Sequence, residues 1–156
     1  MSDPAPVLTG GCNCGAVRFE VSEPLRSALQ CWCRRCQRRT GAGSAPNART
    51  APGSFRFIGG REDALGVWDP GDGGWEKVFC NRCGSQICSR DPGDHSKLSV
   101  RFGAFDEDPG IRITAHQFTA NAAPWAQPPD DGLPQYSERA PAGAGGSHAA
   151  AGDPHD

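Results

Sequence analysis

The chain has 156 residues, a formal charge of −2, 37% hydrophobic residues, 21 glycines and 14 prolines. That length suits one domain with a modest core, and so much glycine and proline favours short strands and turns over long helices. The acidic balance argues against a general nucleic-acid binder, and no apolar run is long enough to span a bilayer.

Residues 1–9, rich in proline and small side chains, read as a loose leader. They carry no basic stretch followed by an apolar one, so no export signal is expected. The eight cysteines are then expected to stay reduced in the cytoplasm, where clustered thiols bind metal or react rather than pair as disulfides. Cys12 and Cys14 stand two apart with glycines on both flanks. In an extended segment both thiols point to one side, which makes half a zinc site. Val17, Phe19 and Val21 alternate with Arg18 and Glu20, the pattern of a half-buried strand.

A turn at Ser22-Glu23-Pro24 leads to a second strand over 25–32. It delivers Cys31-Trp32-Cys33-Arg34-Arg35-Cys36. Three soft ligands spaced C-x-C-x-x-C suit zinc but leave its tetrahedron one ligand short. A structural zinc has four protein ligands, whereas a catalytic one keeps a position open. The fourth position is open to water or a substrate thiol, or else Cys88 or a distant histidine closes it. Residues 34–40 form one short helical turn, stopped by Gly41-Ala42-Gly43. Its arginines, Arg34, Arg35, Arg38 and Arg39, are a solvated basic face or a carboxylate clamp, since the planar guanidinium can bind a carboxylate through two bonds.

Further short strands are predicted at 44–50, 54–58, 64–68 and 75–79. The last runs into Cys80-Asn81-Arg82-Cys83-Gly84, a zinc knuckle whose glycine permits a left-handed turn after the second ligand. Pairing Cys12 and Cys14 with Cys80 and Cys83 completes a four-thiolate site. Cys88 reads as a packed strand thiol. Leu98, Val100 and Phe102 alternate in the next strand, and Ile111 and Ile113 in another. His116 reads as a packed strand residue and His95 as a surface turn residue. Pro124-Trp125 and the segment 132–136 are expected to lay aromatic rings over the sheet. Residues 137–156 read as a disordered tail that contains His148 and His155.

The motifs G-x-C-x-C-G-x-V-x-F at 10–19, C-x-C-x-x-C-Q-R at 31–38, F-C-x-x-C-G-S at 79–85 and H-x-F…P-W at 116–125 together resemble the glutathione-dependent formaldehyde-activating family, whose domain centromere protein V shares. The resemblance spans about residues 7–136. It implies a mainly β fold for a domain at 10–136: a zinc-stapled β-tent of antiparallel sheets with one short helical turn and irregular loops. It implies two zinc ions per chain, a structural one on Cys12, Cys14, Cys80 and Cys83 and a catalytic one on Cys31, Cys33 and Cys36. It also implies the joining of glutathione to formaldehyde as S-(hydroxymethyl)glutathione, a carbon–sulfur lyase activity, with Arg34 and Arg35 as candidates for the glutathione carboxylates. Trp32 stands where relatives often have histidine, and Arg34 where they often have serine or threonine. Two other readings are a zinc domain that binds glutathione or another thiol without turnover, and a protein- or nucleic-acid-interaction module using the 34–39 arginines.

Overall fold

The computed structural model describes residues 7–146. In chain order the elements are β1 (Leu8–Gly11), β2 (Arg18–Val21), β3 (Ser27–Cys31), α1 (Arg34–Thr40), β4 (Ala45–Arg49), β5 (Phe55–Ile58), β6 (Leu65–Trp68), β7 (Glu76–Cys80), β8 (Gln86–Asp91), β9 (Asp94–Arg101) and β10 (His116–Gln117). The molecule is thus mainly β with a single α-helix among the described residues. Among the described residues no helix is long and apolar enough to cross a membrane.

The chain divides into two compact units. One combines residues 7–25 with Arg49–Gly110; the other combines Arg26–Ala48 with residues 111–146.

In the first unit, β1, β2 and β5 form an antiparallel sheet, with Gly10 opposite Phe19 and Phe19 opposite Phe57. The predicted alternation holds: Phe19 and Val21 are fully buried, while Arg18 and Glu20 are partly exposed. Phe19 stacks on Phe55 at 5.0 Å between ring centroids and meets Phe105 edge-on at 5.6 Å. Such aromatic pairs add about 0.5–1.5 kcal/mol each beyond their burial. The strands β6 to β9 form an antiparallel meander in the order β9-β8-β7-β6. Val78, Ile87, Cys88 and Val100 are among its most deeply buried residues, so Cys88 packs as expected. His95 lies in β9 rather than in the preceding turn; it is exposed, and its Nε2 stands 3.2 Å from a Glu76 carboxylate oxygen.

Strand β1 takes in Leu8 and Thr9, two residues of the expected leader. The Thr9 hydroxyl donates to Asp106 Oδ2 at 2.6 Å, and Thr9 O accepts from the Asp106 amide. The strand signal in Leu-Thr-Gly-Gly was weak because only one side chain is apolar.

The second unit is built around β10, β3 and β4 in that order, with β10 parallel to β3. Its core is small and alanine-rich: Ala28, Ala45, Ala48 and Ala115 are buried beside Trp32, Ile111, Gln37 and His116. The strand expected around Ile111 and Ile113 does not form. Residues 111–115 run in irregular conformation, with Ala28 O accepting from Thr114 N and Ala115 O accepting from Gln30 N. A regular ladder begins only at His116, where His116 pairs with Gln30 and Gln117 with Cys31.

Residues 137–146, expected to be tail, are held by long-range bonds. Glu138 O accepts from Phe118 N, Gly145 O accepts from Ala28 N, and Gly146 bridges to Ser27. Small residues suit this close approach, and a glycine backbone needs no apolar side chain to be captured. His148 and His155 lie outside the described residues. Trp125 does not lie over a sheet; it is 70% exposed.

Candidate metal centres

The first cluster lies within the first unit. Two tight turns bring four thiols together, so that the ligand atoms of Cys12, Cys14, Cys80 and Cys83 all lie within 4.8 Å of one another. The segment at Cys12 is a turn rather than the extended stretch expected from the two-residue spacing. Gly15 N donates to Cys12 O at 3.2 Å, and Gly15 has φ +80°. The second turn repeats this device: Gly84 N donates to Cys80 O at 2.9 Å, and Gly84 has φ +78°, the left-handed conformation expected there. Backbone amides already point at the sulfurs, from Val17 to Cys12 at 3.2 Å and from Arg82 to Cys80 at 3.4 Å.

The sulfur spacing tests whether a metal fits. Tetrahedral metal–sulfur bonds of about 2.3 Å set neighbouring sulfurs roughly 3.8 Å apart. Here Cys12 and Cys14 are 3.6 Å apart, and Cys14 and Cys80 3.7 Å. The donor set therefore fits a tetrahedral ion such as zinc. Ser85, which sequence reasoning passed over, ties the two turns together: its hydroxyl oxygen accepts from Asn13 N at 3.0 Å and sits 3.2 Å from Cys83 Sγ. The Ser85 hydroxyl and then its backbone amide pull the Cys83 thiol down to about 5, toward the thiolate that a metal needs.

The second cluster lies within the second unit. Cys31 closes β3, Cys33 is the N-cap of α1, and Cys36 sits in the first turn of the helix; their sulfurs also lie within 4.8 Å of one another. Cys33 Sγ accepts from Cys36 N at 3.3 Å, which is both a helix cap and a ligand-orienting bond. Helix α1 runs over Arg34–Thr40 as predicted and stops at Gly41, whose φ is +66°. Hydrogen bonds from the Cys31 and then the Cys36 thiol hold Cys33 far down, at about 2. The Cys33 and Cys36 partners, followed by burial, push Cys31 up in turn.

Among the described residues no fourth histidine, cysteine or carboxylate joins this cluster. His116 does not close it, since both of its ring nitrogens are engaged. Its Nδ1 accepts from the Trp32 indole at 3.0 Å, and its Nε2 stands 2.9 Å from Asp131 Oδ2. His116 is buried in β10, as read, but its two partners were not foreseen. Gln37 was also missed. It is buried, and its Nε2 donates to Trp32 O at 2.7 Å and to Asn121 O at 2.9 Å, while its Oε1 accepts from Arg34. A polar residue on the inward face of a short helix was the available signal for Gln37; nothing local marked Asp131.

Of the basic run, Arg34 and Arg38 are exposed one helical turn apart, while Arg35 and Arg39 are half-buried. All eight cysteines are free of disulfides.

The sequence model of the glutathione-dependent formaldehyde-activating enzyme family matches residues 7–121. A Halomonas elongata protein, provisionally named a glutathione-dependent formaldehyde-activating enzyme, is 28% identical over 130 residues, covering 78% of this chain and 80% of its own. A crystal structure of a Rhodobacter sphaeroides protein shares the fold, with a TM-score of 0.54 at 23% identity over 82% of this chain and 98% of that one.

Proposed function

This chain belongs to the glutathione-dependent formaldehyde-activating enzyme family, and from that premise we propose that it is a zinc enzyme making or breaking the carbon–sulfur bond between a glutathione-type thiol and a small aldehyde. The observation that carries this reading is the contrast between the clusters: four converging thiols in one, three in the other. We assign Cys12, Cys14, Cys80 and Cys83 to a structural zinc, and Cys31, Cys33 and Cys36 to a catalytic zinc with one position left for substrate. Bound there, zinc would supply the positive charge that favours a thiolate over a thiol near neutral pH.

The chain's own residues do the rest. Cys31, Cys33 and Cys36 act as ligands in this reading, not as nucleophiles. The Cys36 amide fixes the Cys33 sulfur at the helix start. Arg34 and Arg35 carry the glutathione carboxylates, and Arg38, exposed on the face of Arg34, extends that clamp. In the net reaction the thiol sulfur bonds to the aldehyde carbon, the carbonyl π bond opens, and the thiol proton ends on the resulting hydroxyl oxygen. No oxidant, reductant or third reactant is needed. The reaction belongs in a reducing compartment, the cytoplasm, where clustered thiols stay reduced.

The test compares glutathione with S-methylglutathione, which keeps both carboxylates but cannot present a thiolate. A hundredfold excess over Kd stabilises a folded protein by about 2.7 kcal/mol, which is about 5–10 °C in melting temperature for a chain of this length. Glutathione is expected to give that shift and its methyl thioether much less. Exchange of formaldehyde with glutathione, followed by NMR, should be accelerated by the protein. Equal stabilisation by both ligands would sink the thiol-site reading. A thiol-specific shift without accelerated exchange would make the protein a thiol carrier instead.

A further inference from the structure

We propose that Asp131 and His116 are positioning residues for the three-cysteine cluster, acting through a hydrogen-bonded chain that ends on the indole of Trp32 and holds the Cys31-Trp32-Cys33 segment in ligand-ready geometry. The proposal rests on the reading of that cluster as a metal site.

Trp32 separates two ligands, and it is tied at three points. Its backbone N–H donates to Gln117 O at 3.0 Å, its carbonyl accepts from Gln37 Nε2 at 2.7 Å, and its indole N–H donates to His116 Nδ1 at 3.0 Å. With both peptide groups and the ring fixed, the offset between Cys31 and Cys33 is set before any ion arrives. The side-chain tie decides where each proton sits. An indole nitrogen can only donate, so His116 Nδ1 is an acceptor and the imidazole proton is on Nε2. That nitrogen faces Asp131 Oδ2 at 2.9 Å and donates to it. The other oxygen, Oδ1, accepts from Leu133 N at 3.0 Å.

Burial gives the arrangement its force. Trp32 is 6% exposed and His116 3%, so an unmet N–H or ring nitrogen at either would be costly. The frame around His116 is equally constrained. His116 N donates to Pro134 O, and its carbonyl accepts from Tyr136 N, both at 2.9 Å. Two residues on, Phe118 has φ +56°, the one positive φ outside glycine among the described residues. Such a bulky residue stays left-handed only where its surroundings over-determine it, and strain of this kind gathers at functional sites. The turn it starts brings Asn121 O to Gln37 Nε2, at 2.9 Å. Both routes from this strained segment, through His116 and through Asn121 and Gln37, converge on Trp32.

Cobalt(II) titration of the full reduced chain tests the proposal, read by thiolate–cobalt absorption, with the four-cysteine cluster as an internal control. Trp32→Phe removes the indole N–H together with the pyrrole part of the buried ring, whereas Asp131→Ala removes the terminal acceptor and leaves the Trp32 side chain whole. Each is expected to weaken cobalt binding at the three-cysteine cluster about tenfold or more, in the range that loss of ligand-orienting partners produces. Binding at the four-cysteine cluster should not change. Asp131→Asn keeps an acceptor for His116 and should restore most of the affinity. Unchanged second-site affinity in both Trp32→Phe and Asp131→Ala would overturn the positioning role. A wild-type chain that takes up a single cobalt would overturn the metal reading itself, a different result. The metal-free protein supplies a second measurement: nitrogen-15 NMR should find His116 protonated at Nε2 and bare at Nδ1, and the opposite tautomer would refute the chain of bonds.

Discussion

Gly10 and Gly15 flank the first cysteine pair, and the structure requires glycine at each for a different reason. A Cβ added at Gly10 would stand 2.2 Å from the Ala104 carbonyl oxygen and 2.3 Å from Phe19 Cζ. Ordinary contact begins about 1 Å further out, and neither neighbour can give. Ala104 contributes backbone, and the Phe19 ring is fully buried between Phe55 and Phe105. In Gly10→Ala, β1 must therefore retreat from β2 and from the Gly10–Phe105 bridge, and Cys12, two residues on, moves with it. Overpacking of this kind costs roughly 1–3 kcal/mol, and two fixed neighbours place it at the upper end. At about 2–4 °C per kcal/mol for a chain of this length, the melt should fall by about 6–12 °C. Gly15 is the opposite case. Nothing lies within 4 Å of an added Cβ, but φ is +80°. Gly15→Ala therefore meets only left-handed strain, about 1–2 kcal/mol, and Gly15→Asn should lose less. Thermal melts followed by circular dichroism in one metal-loaded buffer give the comparison. Phe19→Leu, which lacks the crowding Cζ, should partly rescue Gly10→Ala, so the double variant is more stable than the summed single losses predict. A Gly10→Ala melt within about 2 °C of wild type, or a larger loss for Gly15→Ala, would refute the steric argument.

Three further outcomes are expected. Cys80→Ser should collapse the fold, because a structural zinc in a small domain is worth about 10–16 kcal/mol of apparent binding energy; Cys33→Ser should instead leave a cooperatively melting protein that has lost one zinc. Elemental analysis with thermal melts separates the two, and equal collapse would make both sites structural. Asp106 is held at about 2, below its ordinary 3.8, by its bonds from Arg18 and then Thr9. Its stabilisation is therefore present above pH 4 and lost as pH falls toward 2. Both ion-pair partners are more than a third exposed, so the effect stays below about 1 kcal/mol. Denaturant midpoints of wild type and Asp106→Asn should differ at pH 7 and converge on acidification; a gap that widens instead would reverse the sign. Finally, replacing Arg34 and Arg38 together with alanine should weaken stabilisation by glutathione but leave that by a small uncharged thiol unchanged, as read in paired thermal melts.

Local spacing determined much of this protein. The knuckle at Cys80–Gly84, the helix from Arg34 to its stop at Gly41, and the alternation through Phe19 and Val21 are decided within a few residues, where backbone sterics and side-chain period act directly. The cysteine spacings likewise point to a group of four and a group of three, and the fold brings the ligand atoms of each group together. Tertiary structure alone decided the rest. Leu8 and Thr9 became a strand because β2 and Asp106 stand ready to receive their backbone. Residues 111–115 kept an isoleucine pattern but formed no ladder, and the glycine-rich 143–146 segment was ordered by β3 rather than by side chains of its own. The bond from Trp32 to His116 spans 84 residues, and Asp131 lies 15 further along from His116. Nothing in a neighbouring residue encodes such a partnership: hydrogen-bond donors and acceptors declare their chemistry in the sequence, but the fold alone determines which of them burial forces together.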